Sequence, residues 1–241
     1  MNLITRFRRI ACLTVLACAV GRSTAHAQTT VYSQSTDLGG SFASQNDTGN
    51  TFGAYATVYD NFTLASGANI GRVTWLGDYS SGNPTTITAF TLKFYADNSG
   101  QPGSLLQTTS ISGNAGETGI GLDHVSNPYF SYAAVLPTPF GASANTPYWM
   151  SIVADVVYPP QWGWETATGG DGVAYQNYFG TVSPLNKDFA FALISTPVTP
   201  EPGSIALLAG LGLSVGVCLR RRPSAPRSAR ANQGKRLYNC P

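Results

Sequence analysis

The sequence predicts an all-β fold, a single jelly-roll-like β-sandwich over residues 28–198, for three reasons. Apolar and polar residues alternate with a period of two, as in residues 90–95, where Phe, Leu and Phe alternate with Thr, Lys and Tyr. Clusters of Gly, Pro, Asn, Asp and Ser separate these short segments. No stretch in this range has the 3.6-residue apolar period of a helix. Such patterns are typical of a sandwich, here with roughly eight to ten strands.

Residues 1–27 have the three parts of a secretory signal peptide. Three arginines lie within the first nine residues, an apolar run follows over residues 10–20, and Ala25 and Ala27 form the small-residue exit. The apolar run is shorter than the roughly 20 residues that a membrane span needs. We therefore expect cleavage after Ala27. Lipidation at Cys18, which ends a lipobox-like stretch, is the alternative, and a mature N-terminus at Gln28 would exclude it.

Near the other end, residues 205–219 are uncharged and apolar. Extended to Pro202, this stretch is about 27 Å long as a helix, which matches a hydrocarbon core of about 30 Å. It is followed by a basic cluster, which is expected to stay on the cytoplasmic side of a transmembrane helix; the cluster consists of Arg220, Arg221 and Arg222. Residues 223–241 are basic and rich in Pro, Ser and Ala, which predicts a disordered cytoplasmic tail.

Pro200, Glu201 and Pro202 stand directly before this apolar segment. The order of Pro-Glu-Pro, apolar helix and arginine cluster over residues 199–222 resembles the PEP-CTERM sorting signal. The resemblance implies export and then processing by exosortase, a membrane enzyme, with Pro-Glu-Pro as the recognition element. It also implies an association with extracellular polysaccharide and biofilm. Segments such as 60–64 and 188–193 look like β-domains of other PEP-CTERM proteins, which are generally of unknown activity.

Charge and cysteine content exclude several function classes. Residues 28–198 contain three basic and eleven acidic residues, so their net charge is −8 with histidine neutral. A nucleic-acid partner needs clustered Lys and Arg, and we therefore expect none. The four cysteines lie outside this range, at Cys12, Cys18, Cys218 and Cys240. The domain therefore has neither a thiol nucleophile nor a cysteine-ligated zinc site.

The sequence does not predict an enzyme. The domain has one histidine, His124, in a loop-like segment, and it has no G-x-S-x-G motif. A pair of carboxylates for glycoside hydrolysis could come from Asp155, Glu165 and Asp171, and only their distances in the structure would decide. We expect no catalytic residues and no cofactor.

A candidate sugar-binding site consists of Trp162, Trp164 and Glu165. The Trp-Gly-Trp sequence follows a proline-containing segment, which predicts a loop with accessible indole rings beside a carboxylate. Sugars pack on aromatic faces while polar groups bind their hydroxyls. The alternative is that at least one of these rings belongs to the core, as we expect for Trp75 and Trp149 on strands.

Two turns contain side-chain oxygens that could bind calcium, but neither has the other ligands of a known calcium-binding motif. Residues 97–100, Asp-Asn-Ser-Gly, lack the later glutamate of an EF-hand loop, and Asp171-Gly172 is similar. We interpret both as plain turns and predict no metal site. The leading hypothesis is an exported, non-enzymatic structural or adhesive surface or matrix protein. A carbohydrate-binding module and a secreted glycan-active enzyme are the alternatives.

Overall fold

A computed structural model of the protein describes residues 28–196. These residues form fourteen β-strands and no helix. In chain order the strands are β1 (Thr30–Ala43), β2 (Gln45–Asp47), β3 (Ala56–Thr63), β4 (Ala68–Ser80), β5 (Ala89–Asp97), β6 (Pro102–Ser112), β7 (Thr118–Leu122), β8 (Pro128–Ala142), β9 (Pro147–Val156), β10 (Gln161–Thr168), β11 (Ala174–Tyr178), β12 (Thr181–Leu185), β13 (Asp188–Phe189) and β14 (Phe191–Ser195).

The strands make two seven-stranded sheets. The first has the order β13-β10-β1-β14-β4-β8-β7, with an additional pairing of β10 with β4. The second has the order β12-β11-β3-β9-β5-β6, and β2 pairs with β9 beside this path. All pairings are antiparallel except that of β2 with β9. The predicted all-β class is confirmed, while a jelly-roll-like arrangement stays a prediction.

One hydrophobic core is shared by both sheets. Phe90 of β5 contacts Trp75 of β4 and Trp162 of β10, with ring centroids 5.0 and 5.2 Å apart. Phe94 of β5 stacks on Phe140 of β8 at 4.3 Å. These aromatic pairs join the two layers, since each ring lies between sheets and is 5% exposed or less. Offset and edge-to-face contacts of this kind add to the free energy gained from burying the rings.

Period-two alternation placed the core correctly on β5. Phe90, Leu92 and Phe94 are fully buried, whereas Thr91 and Lys93 are only partly buried. Successive side chains of a strand point to opposite faces of the sheet, so an alternating sequence buries one face. Trp75 and Trp149, also predicted to be core residues, are each 1% exposed.

The strand count was underestimated, and β8 continues through Ala142 across prolines of the kind that we expected to separate strands. The reason lies in Pro137 and Pro139, which have no N–H for a ladder. Both fall where the pairing of β8 with β4 jumps from Val135 to Phe140, and β7 pairs β8 only up to Ser131. Proline is tolerated at such a bulge because no partner strand needs its N–H there.

Several predictions concern residues outside the described range. These are the signal peptide over residues 1–27, its exit residues Ala25 and Ala27, the transmembrane helix over 205–219 and the tail over 223–241. Within the part of the chain that the structure describes, there is no helix that could cross a bilayer.

Candidate functional site

The indole rings of Trp162 and Trp164 are buried, so the predicted sugar-binding surface is wrong. Both residues lie on β10 rather than in a loop, and both are 0% exposed. Trp162 Nε1 donates to the Tyr132 hydroxyl at 3.1 Å, and Trp164 Nε1 donates to the carbonyl of Ala190 at 3.0 Å. These bonds satisfy the polar atoms of the two rings inside the core, as buried tryptophan requires.

Gly163, between the two tryptophans, has a packing role. A Cβ on Gly163 would lie 2.6 Å from Cβ of Ser41 and 3.1 Å from the carbonyl oxygen of Phe42, both on β1. The glycine therefore allows β1 to approach β10 closely on the face opposite the core. The interpretation of this segment as a loop with accessible rings missed this cross-strand contact.

On that opposite face, three buried acidic residues come together: Asp78 of β4, Glu165 of β10 and Asp123 of the loop between β7 and β8. One carboxylate oxygen from each residue lies within 4.8 Å of those of the other two. Asp78 and Glu165 are 0% exposed, and Asp123 is 5% exposed. Alternation places them there, because Tyr79 and Trp164, their neighbours in sequence, point into the core. We call this group the carboxylate cluster.

Two segments cover the carboxylate cluster. Residues 38–40 of β1 form part of an irregularity in its pairing with β10, and Gly40 has a φ of 96°. The loop at residues 123–127 lies against this irregularity, with the N–H of His124 donating to the carbonyl of Leu38 at 2.9 Å. A Cβ on Gly40 would lie 3.2 Å from the Val125 side chain. The two segments thus separate the carboxylates from solvent.

Donors satisfy only part of the carboxylate cluster. Asp78 accepts hydrogen bonds from the Ser41 hydroxyl and, at 2.9 Å, from Nδ2 of Asn127. Oδ1 of Asp123 accepts the N–H groups of Val125 and Asn127 at 2.9 and 2.7 Å. Oδ2 of Asp123 and both carboxylate oxygens of Glu165 are buried without a hydrogen-bond partner. Three acceptor oxygens of the carboxylate cluster therefore have no donor from the described residues.

Burial and the charges of neighbouring carboxylates raise the pKa values of Glu165 and Asp78. Burial is the main reason that the pKa of Glu165 rises to about 8, and the charges of Asp78 and Asp123 add to it. The N–H of Gly40 lies nearby and lowers the pKa of Glu165, although its geometry is not that of a hydrogen bond. Burial likewise raises the pKa of Asp78 to about 6, with Asp123 adding to the rise and the bonds from Ser41 and Asn127 opposing it.

The structure separates the other predicted acidic residues from this cluster. Asp97 accepts the N–H of Gly100 in a turn and also binds Nε1 of Trp149 at 2.8 Å, so it has a structural role. Asp171 accepts Nδ2 of Asn61 at 2.9 Å in the turn before β11. Asp155 lies on β9 of the second sheet and accepts Nδ2 of Asn46. Glu165 is therefore grouped with Asp78 and Asp123, a combination that the sequence analysis did not find.

A second feature that the sequence analysis missed is a set of aromatic side chains at the surface. Phe52, Tyr178 and Phe179 are 43%, 43% and 55% exposed. Phe52 contacts Tyr158 and Phe179, with ring centroids 5.1 and 5.6 Å apart, and Phe179 also contacts the buried Tyr55 at 5.2 Å. We call these five residues the aromatic surface. Its members come from three loops or strand ends, so no local sequence pattern marks it.

Comparisons with known proteins identify both parts of the chain. Residues 28–194 match a family described as Domain of unknown function (DUF7901), and residues 198–222 match the PEP-CTERM protein-sorting motif. No curated protein and no solved structure matches the chain. The predicted sorting signal, containing Pro200, Glu201 and Pro202, is confirmed, and the protein is exported with a membrane-anchored precursor. Because the first match covers more than half of its length, the chain belongs to the family described as Domain of unknown function (DUF7901), here joined to a PEP-CTERM sorting motif.

Proposed function

We propose that the protein is a non-enzymatic structural or adhesive component of the cell surface or extracellular matrix, associated with exopolysaccharide and biofilm. The observation that carries this proposal is the PEP-CTERM motif at residues 198–222, placed directly after a β-domain that fills residues 28–194. A sorting signal of this kind delivers its domain outside the cell. The domain, in our proposal a jelly-roll-like sandwich, is the part that remains there.

The chemistry of the domain supports a non-enzymatic role. The carboxylate cluster is closed to substrates, since Asp78 and Glu165 have no exposed surface. A groove of about 660 Å³ crosses the first sheet, and among the residues that line it Arg72 is the only charged one. Such a lining contains no carboxylate or imidazole to act as a general acid or base. His124, the histidine of this domain, lies in the loop above the carboxylate cluster.

The aromatic surface supports the adhesive part of the proposal. Exposing aromatic rings to water is unfavourable in free energy, and groups of exposed rings are common where a surface binds a partner. The backbone beneath this surface is fixed by Asp47, whose carboxylate accepts N–H groups of Thr51, Phe52 and Tyr158 at 2.9 to 3.0 Å. The rings are therefore held in place on an ordered support rather than on loose loops.

For the sorting step, we propose that exosortase recognises Pro200, Glu201 and Pro202 and cleaves close to them. The apolar residues 205–219 would hold this site at the membrane face. The arginine cluster would fix their depth from the cytoplasmic side; its members are Arg220, Arg221 and Arg222.

The test of this step is the C-terminal mass and location of the protein in its host. In the wild type we expect loss of the segment after the motif and arrival at the surface or in the medium. Replacing Pro200, Glu201 and Pro202 by alanine should leave the full-length chain in the inner membrane. Pro223→Ala with Pro226→Ala is the matched control, which should be processed normally. Full-length wild type retained in the inner membrane would refute the sorting step.

The adhesive role is tested by binding of the exported protein to exopolysaccharide from its host. Phe52→Ser with Phe179→Ser should weaken binding roughly tenfold, because the double change removes two exposed rings. Leu122→Ser with Val135→Ser is the control, since these side chains are 64% and 66% exposed on the other sheet. Equal binding by both double variants would refute a role for the aromatic surface.

A further inference from the structure

We propose that the carboxylate cluster of Asp78, Asp123 and Glu165 is a structural Ca²⁺ site of the exported domain. No metal site was expected from the sequence, and neither sorting nor adhesion assigns a role to these residues. The inference is independent of the proposed function, because a cation can stabilise the domain wherever the protein is finally placed.

The spacing of the oxygens fits a calcium ion. Calcium binds oxygen at 2.3–2.6 Å, so two of its ligands are at most about 5.2 Å apart. One oxygen from each of Asp78, Asp123 and Glu165 falls within 4.8 Å of those of the other two. The cluster therefore has the size of a calcium coordination sphere without any rearrangement of the backbone.

The second observation is the lack of donors for buried acceptors. Glu165 is 0% exposed, and neither of its carboxylate oxygens has a hydrogen-bond partner. Oδ2 of Asp123 is also buried and also has no hydrogen-bond partner. Buried polar groups are nearly always satisfied, and an unpaired buried carboxylate is costly. No ion pair with Lys or Arg offsets these charges within residues 28–196. A divalent cation would satisfy all three oxygens at once.

The donor set selects the metal. All three ligands are carboxylates, without cysteine or histidine among them, which favours a hard cation over zinc or copper. Mg²⁺ requires near-octahedral geometry and keeps several of its waters, whereas Ca²⁺ accepts irregular oxygen cages and bidentate carboxylates. In this cluster both oxygens of Glu165 are free of donors and can bind one ion in a bidentate manner, which fits Ca²⁺ better.

The surrounding contacts position these ligands. The Ser41 hydroxyl and Nδ2 of Asn127 hold the Asp78 carboxylate, and two N–H groups hold Oδ1 of Asp123 so that Oδ2 remains for the cation. The loop at residues 123–127 would thus be fixed to β4 and β10 through the ion. Calcium binding would stabilise the closed arrangement of this loop over the first sheet.

The full-length protein in mild detergent is first treated with EGTA to remove bound calcium. Its thermal unfolding is then monitored by tryptophan fluorescence, with and without added metal. A dissociation constant of about 10⁻⁴ M is typical of extracellular calcium modules. At about 10 mM CaCl₂ this constant increases the folding equilibrium constant roughly 100-fold. We then expect the midpoint to rise by roughly 5–10 °C, and MgCl₂ at the same concentration to have a much smaller effect.

Two conservative variants locate the effect. Asp123→Asn keeps Oδ1 for the N–H groups of Val125 and Asn127 but removes the unpartnered carboxylate oxygen, and Glu165→Gln removes the charge of Glu165. Both should unfold in EGTA near the wild-type midpoint and lose most of the calcium shift. Asp60→Asn, which changes a carboxylate that is equally buried but lies outside the cluster, should keep the whole shift.

Three results would overturn the proposal: no shift of the wild type with calcium, an equal shift with magnesium, or a full shift in both Asp123→Asn and Glu165→Gln. The first of these would mean that protons rather than a cation neutralise the cluster. None of these results bears on sorting, which is read from the C-terminal mass.

Discussion

Trp164 and Glu165 are consecutive residues of β10, yet they occupy opposite sides of the first sheet. The Trp164 ring lies in the core, 5.3 Å from the ring of Phe189, while the Glu165 carboxylate joins Asp78 and Asp123 on the other face. Both side chains are 0% exposed. One strand therefore connects the packing of the sandwich to its carboxylate cluster, and changes on its two faces have different consequences.

Removing the Trp164 ring should strongly destabilise the domain. Trp164→Ala is expected to lower the free energy of unfolding by about 3–5 kcal/mol, because it leaves a large cavity beside Phe189 and Phe191. Urea unfolding followed by far-UV circular dichroism measures this change. Val135→Ala, at an exposed position, should stay within about 0.5 kcal/mol of wild type. A loss below 1 kcal/mol for Trp164→Ala would contradict a core position.

Adding a methyl group at Gly163 should disturb the carboxylate cluster by displacing Ser41, which holds Asp78. Gly163→Ala places a Cβ against Ser41, so β1 must move away from β10 or the Ser41 bond to Asp78 must break. Overpacking of this kind costs about 1–3 kcal/mol in urea unfolding. Gly121→Ala is the matched control, since its Cβ would lie 3.5 Å from the nearest atom, in ordinary contact. Equal stability of the two variants would contradict the close approach of β1.

The sequence predicts those features that depend on local pattern. Alternation on β5 identified its buried face, and the turn at residues 97–100 was recognised from its residue types. Alternation does not reveal a strand that is buried on both faces, and β10 is such a strand: Trp162, Gly163, Trp164 and Glu165 are all buried. The strand was therefore not recognised from the sequence, and the proline-containing segment before Trp162 led to the interpretation of an exposed loop.

The carboxylate cluster depends on the pairing of strands that are far apart in the chain, so it could not be predicted from the sequence. Asp78 and Glu165 meet because β4 pairs with β10, with Asp78 opposite Gly163. Asp123 joins them through the contact between its loop and Leu38. Asp78 lies near the end of β4, which continues to Ser80. No spacing motif links these acidic residues, in contrast to an EF-hand loop, where all ligands lie within twelve residues.

Asp60 should make the calcium-free protein less stable as pH rises. Burial raises the pKa of Asp60 well above 3.8 and the charges of Asp188 and Asp171 add to this, although the N–H groups of Phe189 and Asn61 oppose it. The folded state therefore keeps this proton at pH values where the unfolded state has lost it. This contribution to stability is present at low pH and is lost as pH rises from about 4 through the raised pKa.

The Asp60 prediction is measured by urea unfolding in EGTA at several pH values between about 4 and 8. Asp60→Asn imitates the neutral carboxyl group, so its stability should fall less steeply with pH than that of the wild type. Tyr32 also interacts with Asp60, but burial is the main reason that its pKa is raised, so it stays neutral over this range. Parallel profiles for wild type and Asp60→Asn would show that Asp60 is ionised in the folded protein.

Asp47 should have the opposite effect to Asp60 on the pH dependence of stability. It should also keep the backbone under the aromatic surface in place. Its burial opposes ionisation, yet four backbone N–H groups keep its pKa below the usual value; the donors, at 2.9 to 3.0 Å, belong to Gly49, Thr51, Phe52 and Tyr158. Because the folded-state pKa is lowered, this stabilisation is present above about pH 4 and is lost as pH falls through the lowered value.

Asp47→Asn puts an amide NH₂ against donors that need an acceptor, and we expect a loss of roughly 2–4 kcal/mol at neutral pH. Since Phe52 and Tyr158 are held by the same carboxylate, the variant should also bind exopolysaccharide more weakly than wild type while the domain remains folded. Asp97→Asn is the control, because that carboxylate caps a turn outside the aromatic surface. Unchanged stability and unchanged binding in Asp47→Asn would show that the loop and its rings do not depend on this acceptor.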